Sequence, residues 1–156
     1  MNSSTRDSVF ISYSHKDLRW LQTLQIMLRP LCRQGLIRCW SDKSVRPGSQ
    51  WNAQIRAELD RTRVAVLLVS PNFLASDFVA ENELPPLLDA SERDGAVIFW
   101  IPISASLYEE TRLKDYQAAI DPSRPLDSLT LSKRNQALVQ IAKQIRDALN
   151  GSALTS

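Results

Sequence analysis

The sequence predicts an α/β domain in which a parallel sheet is covered by helices on both faces. Two observations carry this. The runs Ser8 to Tyr13 (SVFISY), Val64 to Ser70 (VAVLLVS) and Ala96 to Ile103 (AVIFWIPI) are predominantly apolar rather than alternating, as strands buried on both faces are. Helical stripes separate these runs through the whole length, so strand and helix take turns. With 156 residues, 44% hydrophobic and 23% charged, the chain has the length and composition of one compact domain.

The elements follow in order. Residues 1–7 are polar and are expected to be a disordered N-terminus ahead of the first strand. From Asp17, Leu18, Leu21, Leu24, Met27, Leu28 and Leu31 recur at three- and four-residue steps, which predicts a helix that ends near Gly35 and is kinked in its last turn by Pro30. Leu36 to Trp40 (LIRCW) is a second strand, with Trp40 assigned to the core, and it runs into the polar loop Ser41 to Gln50, where Pro47-Gly48 signals a turn. Trp51, Ile55 and Leu59 give a short helix before the central strand.

In Asn72 to Arg93, Leu84, Leu87 and Leu88 form a helical pattern that Pro85 and Pro86 either break or start afresh. Tyr108 to Ala119 has room for a short helix and an edge strand, and Asp121 to Pro125 is a loop. Leu138, Ile141, Ala142, Ile145 and Leu149 make a final helical stripe, stopped by Asn150-Gly151. Residues 151–156 are a tail or the start of a linker to a further domain.

Composition removes several function classes. A formal charge of +2 is far from the basic excess that phosphate neutralisation along a nucleic acid demands. No apolar run approaches the ~20 residues needed to cross a bilayer, and the N-terminus is unlike a signal peptide, so the chain reads as soluble and cytoplasmic. Cys32 and Cys39 lie in apolar surroundings and read as reduced core thiols, and with one histidine, His15, no metal site is expected. Glycine occurs only at positions 35, 48, 95 and 151, so neither a dinucleotide-binding fingerprint nor a phosphate loop can be written, and no serine-hydrolase elbow exists. The acids that a phosphate-accepting regulator needs after its first strand are absent from Ser12-Tyr13-Ser14-His15.

Ligands of open parallel sheets bind beyond the carboxyl ends of the strands. Here those ends are Ser12 to His15, Ser41 to Lys43, Ser70 to Phe73 and Pro102 to Ser104. Ser12, Tyr13 and His15 either line a pocket or form a turn that caps the sheet. Asp42 and Lys43 are either contacts or a solvated charge pair, and Trp51 either stacks on a base or packs on the sheet. Glu81 and Glu83 flank the stripe of Leu84, Leu87 and Leu88 on opposite sides, and pattern alone does not separate a functional carboxylate from a solvated one.

Asp7 to Asp17 (DSVFISYSHKD), Trp40 to Trp51 (WSDKSVRPGSQW) and Leu67 to Leu84 (LLVSPNFLASDFVAENEL) resemble the three characteristic blocks of Toll/interleukin-1 receptor (TIR) domains in their bacterial, NAD-cleaving form. Tyr116 to Leu129 with the final helix extends the resemblance over residues 8–150. It implies a flavodoxin-like three-layer sandwich with five parallel strands, and an assembly loop that includes Val45, Arg46, Pro47 and Gly48. It further implies hydrolysis of the nicotinamide–ribose bond of NAD+, releasing nicotinamide and ADP-ribose or a cyclic form, in oligomers with other TIR domains and in prokaryotic immune defence. NAD+ is then a substrate and no cofactor is required.

By the same resemblance the catalytic carboxylate is Glu83, and Ser12, Tyr13, His15, Asp42, Lys43, Trp51 and Phe78 are substrate contacts. Active relatives often carry tryptophan four residues before the catalytic glutamate; here that position is Val79, and Phe78 beside it is the ring at hand. Two other readings share the fold: a non-catalytic TIR scaffold acting through homotypic contacts, and a base-exchanging enzyme using the same pocket. The resemblance also allows for a sensor domain outside this chain.

Overall fold

The computed structural model describes residues 8–35, 39–41, 62–76 and 84–150. Strands β1 (Ser8–Ser12), β2 (Cys39–Ser41), β3 (Thr62–Val69) and β4 (Val97–Pro102) form one parallel sheet in the order β2-β1-β3-β4. The helices are α1 (Leu18–Arg33), α2 (Pro71–Ala75), α3 (Leu84–Asp94) and α4 (Leu131–Asn150). This is the expected class, and the strand order is that of the flavodoxin-like fold.

Successive strand residues point to opposite faces, and both faces are apolar. Val9, Ile11, Val64, Val66, Leu68 and Ile101 lie in one core with Leu21, Leu24 and Leu28 of α1 and Leu138, Ile141 and Ile145 of α4. The neighbours Phe10, Ala65, Leu67, Val69, Ile98 and Trp100 face the other way, against Phe73 of α2 and Leu87 and Leu88 of α3. Each fully buried aliphatic or aromatic side chain is worth ~1.5–3 kcal/mol, so the two layers are a major source of the fold's stability. Cys32 is half-buried and packs at the edge of the first core, as expected of a small apolar residue.

The helix ends follow local rules. Helix α1 continues through Pro30 to Arg33, and Gly35 then takes φ +76, a backbone state that glycine enters without a Cβ clash. Pro85 and Pro86 fall in the first described turn of α3. Arg134 of α4 lies 4.9 Å from the Trp20 ring of α1, and its Nε donates to the Leu126 carbonyl at 3.1 Å, tying α1, α4 and the turn between β4 and α4 together.

The expected fifth strand is corrected: four strands are present among the described residues, and the fifth place holds a single parallel bridge between Trp100 and Ala118. The Ala119 N–H donates to the Trp100 carbonyl at 2.8 Å. Two 3-10 turns, Tyr108–Glu110 and Arg112–Asp115, take up the chain just before it, and Pro122 just after has no N–H to extend a ladder. The short helix and edge strand expected over Tyr108 to Ala119 are therefore realised in their shortest forms.

This edge carries a polar cluster. Tyr116 Oη donates to Glu92 Oε2 at 3.0 Å, and Arg112 reaches the same oxygen at 3.2 Å. Partial burial, and then the hydrogen bond and charge of Glu92, raise the Tyr116 pKa above the usual phenol value of 10.0. Below that value Tyr116 is neutral in both folded and unfolded chains, so its contribution is fully present. As the pH rises further the unfolded chain ionises first, and the contribution is lost by the folded pKa. Thermal unfolding across the range from about pH 9 to pH 11 should show a shallower alkaline decline in Tyr116→Phe than in the wild type.

Among the described residues no helix is long and apolar enough to cross a membrane.

Candidate functional site

The strand order fixes where a ligand fits. The chain leaves β1 through α1 on one face toward β2, and leaves β3 through α2 and α3 on the other face toward β4. β1 and β3 are thus adjacent strands whose connections diverge, the switch point beyond whose carboxyl ends open α/β sheets form their ligand crevice.

The wall on the β1 side is the turn Tyr13 to Asp17. The side chain of Ser14 accepts the Lys16 N–H at 3.2 Å, and its carbonyl accepts the Asp17 N–H at 2.8 Å, which folds His15–Asp17 into one 3-10 turn ahead of α1. Ser12 and Tyr13 are buried, and Tyr13 belongs to the core shared with α1 and α4. His15 is exposed, with its ring 5.8 Å from that of Tyr13. Of the three residues expected at this strand end, His15 is the one open to solvent.

The wall on the β3 side begins with Ser70, which caps α2: its Oγ accepts the Phe73 N–H at 3.0 Å, and Pro71 occupies the first helical position. The Ser70 hydroxyl donates to Asp17 Oδ2 in a very short hydrogen bond, and Asn72 Nδ2 donates to Asp17 Oδ1 at 3.3 Å. Asp17 is 8% exposed. A carboxylate so far from water persists only where hydrogen bonds replace its hydration, and here both of its oxygens accept from the neighbouring turn. Asp17 therefore joins the two walls of the crevice.

The far side is closed at the end of β4. Ser104 Oγ donates to Asp127 Oδ2 at 2.5 Å, and the Asp127 N–H donates to the Ile103 carbonyl at 3.0 Å. These bonds hold the turn Leu126–Ser128 against the strand end.

Asp17, Ser70 and Asn72 were not among the expected site residues. The run Ser70-Pro71-Asn72-Phe73 does carry a helix-cap signature, serine followed by proline at the first helical position. Nothing in the sequence pairs it with an acid 53 positions away. Asp42, Lys43, Val45, Arg46, Pro47, Gly48, Trp51, Phe78, Glu81 and Glu83 lie outside the described residues.

A family model described as the TIR domain matches residues 9–141. The chain belongs to the TIR-domain family. An uncharacterized protein of Sinorhizobium fredii, y4lF, is 28% identical over 141 residues, a match covering 90% of this chain and 43% of that protein. This TIR chain therefore spans less than half the length of that relative. Among solved structures, the TIR domains of the activated Roq1 resistosome, which directly recognizes the pathogen effector XopQ, align with a TM-score of 0.50 at 19% identity. That alignment covers 88% of this chain and 84% of the other, and at this identity it is a likeness of fold.

Proposed function

We propose that this TIR domain is an NAD+ nucleosidase that cleaves the nicotinamide–ribose bond and works in assemblies of TIR domains, in the cytoplasm and in prokaryotic immune defence. What supports the reading is the β1/β3 switch point, where the family's first and third sequence blocks meet and Asp17 bonds to Ser70 and Asn72. The third block leads directly into α3, and the acid assigned by resemblance to catalysis, Glu83, is the residue before Leu84.

The chemistry suits a single carboxylate. In NAD+ the leaving group is a cationic pyridinium, so the C1′–N bond breaks with its electron pair going to nitrogen, and nicotinamide departs neutral without a general acid. Ordinary glycosides need a second carboxyl group for that protonation. Positive charge develops on the ribose ring, and a carboxylate held beside it stabilises that charge in a partly desolvated site. Water then adds at C1′ and loses a proton, giving ADP-ribose; attack by a nucleophile within the same molecule gives a cyclic product instead. His15, on the open side of the β1 turn, is placed to contact substrate, and Ser12 and Tyr13 support the turn from beneath.

The Roq1 match comes from an activated resistosome, which supports assembly as the working state of this fold. The greater length of y4lF supports a sensor elsewhere in a longer protein. The test is NAD+ loss with product identification by mass, at rising protein concentration and with crowding. Specific activity should climb with concentration, and a Pro47→Ala/Gly48→Val double variant should lose several-fold of it by weakening assembly. Demonstrated assembly without any NAD+ loss would overturn the enzyme reading and favour the scaffold, with Val79 as the leading explanation. Nicotinamide exchange outrunning net hydrolysis would instead identify a base-exchange enzyme.

A further inference from the structure

Asn72 is exposed, follows the carboxyl end of β3 and donates to the buried Asp17, which lies just past the end of β1. Its amide has two chemically different ends, and the buried partner decides which one faces out. An ionised carboxylate accepts hydrogen bonds and donates none, so the end of Asn72 that meets Asp17 at 3.3 Å must be the N–H2 group. Asp17 is itself fixed by the Ser70 hydroxyl, and Ser70 is fixed by its cap on α2. The Asn72 carbonyl oxygen is the end of the amide that the bond to Asp17 leaves unused, on a residue exposed at the carboxyl end of β3.

We infer that Asn72 is a substrate-contact residue, oriented by Asp17 to present its carbonyl oxygen as an acceptor for a donor group of the ligand. This deepens the nucleosidase reading and rests on it: the matching donors on NAD+ are the carboxamide N–H2 and the ribose hydroxyls. Asp17 is the positioning residue, acting through Asn72. A neutral hydrogen bond at the rim of a site is worth about tenfold in binding at most, and it is made to substrate and transition state alike. Its loss should therefore appear in KM and leave kcat nearly unchanged.

The experiment uses wild-type protein, Asn72→Ala, Asn72→Asp, Asp17→Asn and the double variant Asp17→Asn/Asn72→Asp. Steady-state NAD+ kinetics are measured under assembly, together with the Asn72 side-chain amide NMR signal during titration with NAD+ and with ADP-ribose. Asn72→Ala should raise KM up to about tenfold with kcat within about threefold. Asn72→Asp sets two carboxylates against each other and should do worse. The double variant reverses the direction of the hydrogen bond while keeping an acceptor oxygen outward, so it should recover most of the wild-type KM. A purely structural latch would be rescued as well, so the readout that such a role would not move is the Asn72 side-chain amide signal, which should shift on adding NAD+ or ADP-ribose.

Wild-type turnover with an unchanged KM in Asn72→Ala would overturn the inference and leave the nucleosidase reading standing. Absent turnover, but an Asn72 amide signal that shifts with either probe in the wild type and not in Asp17→Asn, would uphold the inference and overturn the nucleosidase. Neither turnover nor any shift with either probe would overturn both.

Discussion

Glu83→Ala is expected to lower NAD+ turnover by about 10²–10³-fold while leaving thermal stability and assembly unchanged. The size follows from what the carboxylate is asked to do. Charge develops on the ribose as the pyridinium leaves, and removing one preorganised group aimed at developing charge in a water-poor site typically costs this much. The interaction is absent in the ground state, where the positive charge sits on the pyridinium, so the loss should fall on kcat and kcat/KM together. Glu83→Gln should lose nearly as much, because the amide keeps the shape and some hydrogen bonding but not the charge. Glu81→Ala is the matched control, and Glu81 carries no assigned role. An active Glu83→Ala variant under verified assembly would sink the assignment, and equal losses in both variants would point to a structural effect on the segment before α3.

The fold was legible because its signals are local. Val64 to Ser70 reads as a buried parallel strand without knowledge of its neighbours, and the structure places β3 at Thr62–Val69 between β1 and β4. The stripe Leu138, Ile141, Ala142 and Ile145 reads as one helix face and is the buried face of α4. The fifth strand was less legible because its extent depends on competition: the 3-10 turns before Ala118 and Pro122 after it leave one bridge where the family pattern implies a strand.

The site was legible only in part, for a different reason. The place, at the strand ends, follows from topology, and His15 is exposed there. Tyr13 is core, whereas the sequence reading left it between lining a pocket and capping the sheet. The latch was invisible because Asp17 looks like an ordinary helix-start acid. Its importance comes from burial beneath Ser70 and Asn72, a tertiary fact with no periodic trace. Sequence pattern finds faces of elements readily, whereas it does not find the hydrogen bonds that join one loop to another.

Trp100→Ala is expected to be the most destabilising single core change, at about 3–5 kcal/mol, because three separate losses coincide there. Trp100 is 2% exposed at the centre of the second core, so truncation opens a large cavity against neighbours on β3 and α3 that cannot close it without moving the sheet. Its Nε1 donates to the Tyr116 carbonyl at 2.8 Å, and its ring lies 4.6 Å from that of Tyr108, so the same side chain fastens the irregular edge to the sheet. Its backbone bridge to Ala118 is kept in the variant, so the loss falls on the side chain alone. For a domain of this size the loss corresponds to a fall in Tm on the order of 10–15 °C, readable by calorimetry. Trp100→Phe keeps much of the packing and loses the N–H, and should cost about 1–3 kcal/mol, mainly through the orphaned Tyr116 carbonyl. A Trp100→Ala shift of only about 2–4 °C, the equivalent of roughly 1 kcal/mol, would mean that the edge is held by its 3-10 turns and the Glu92 cluster instead of by the indole.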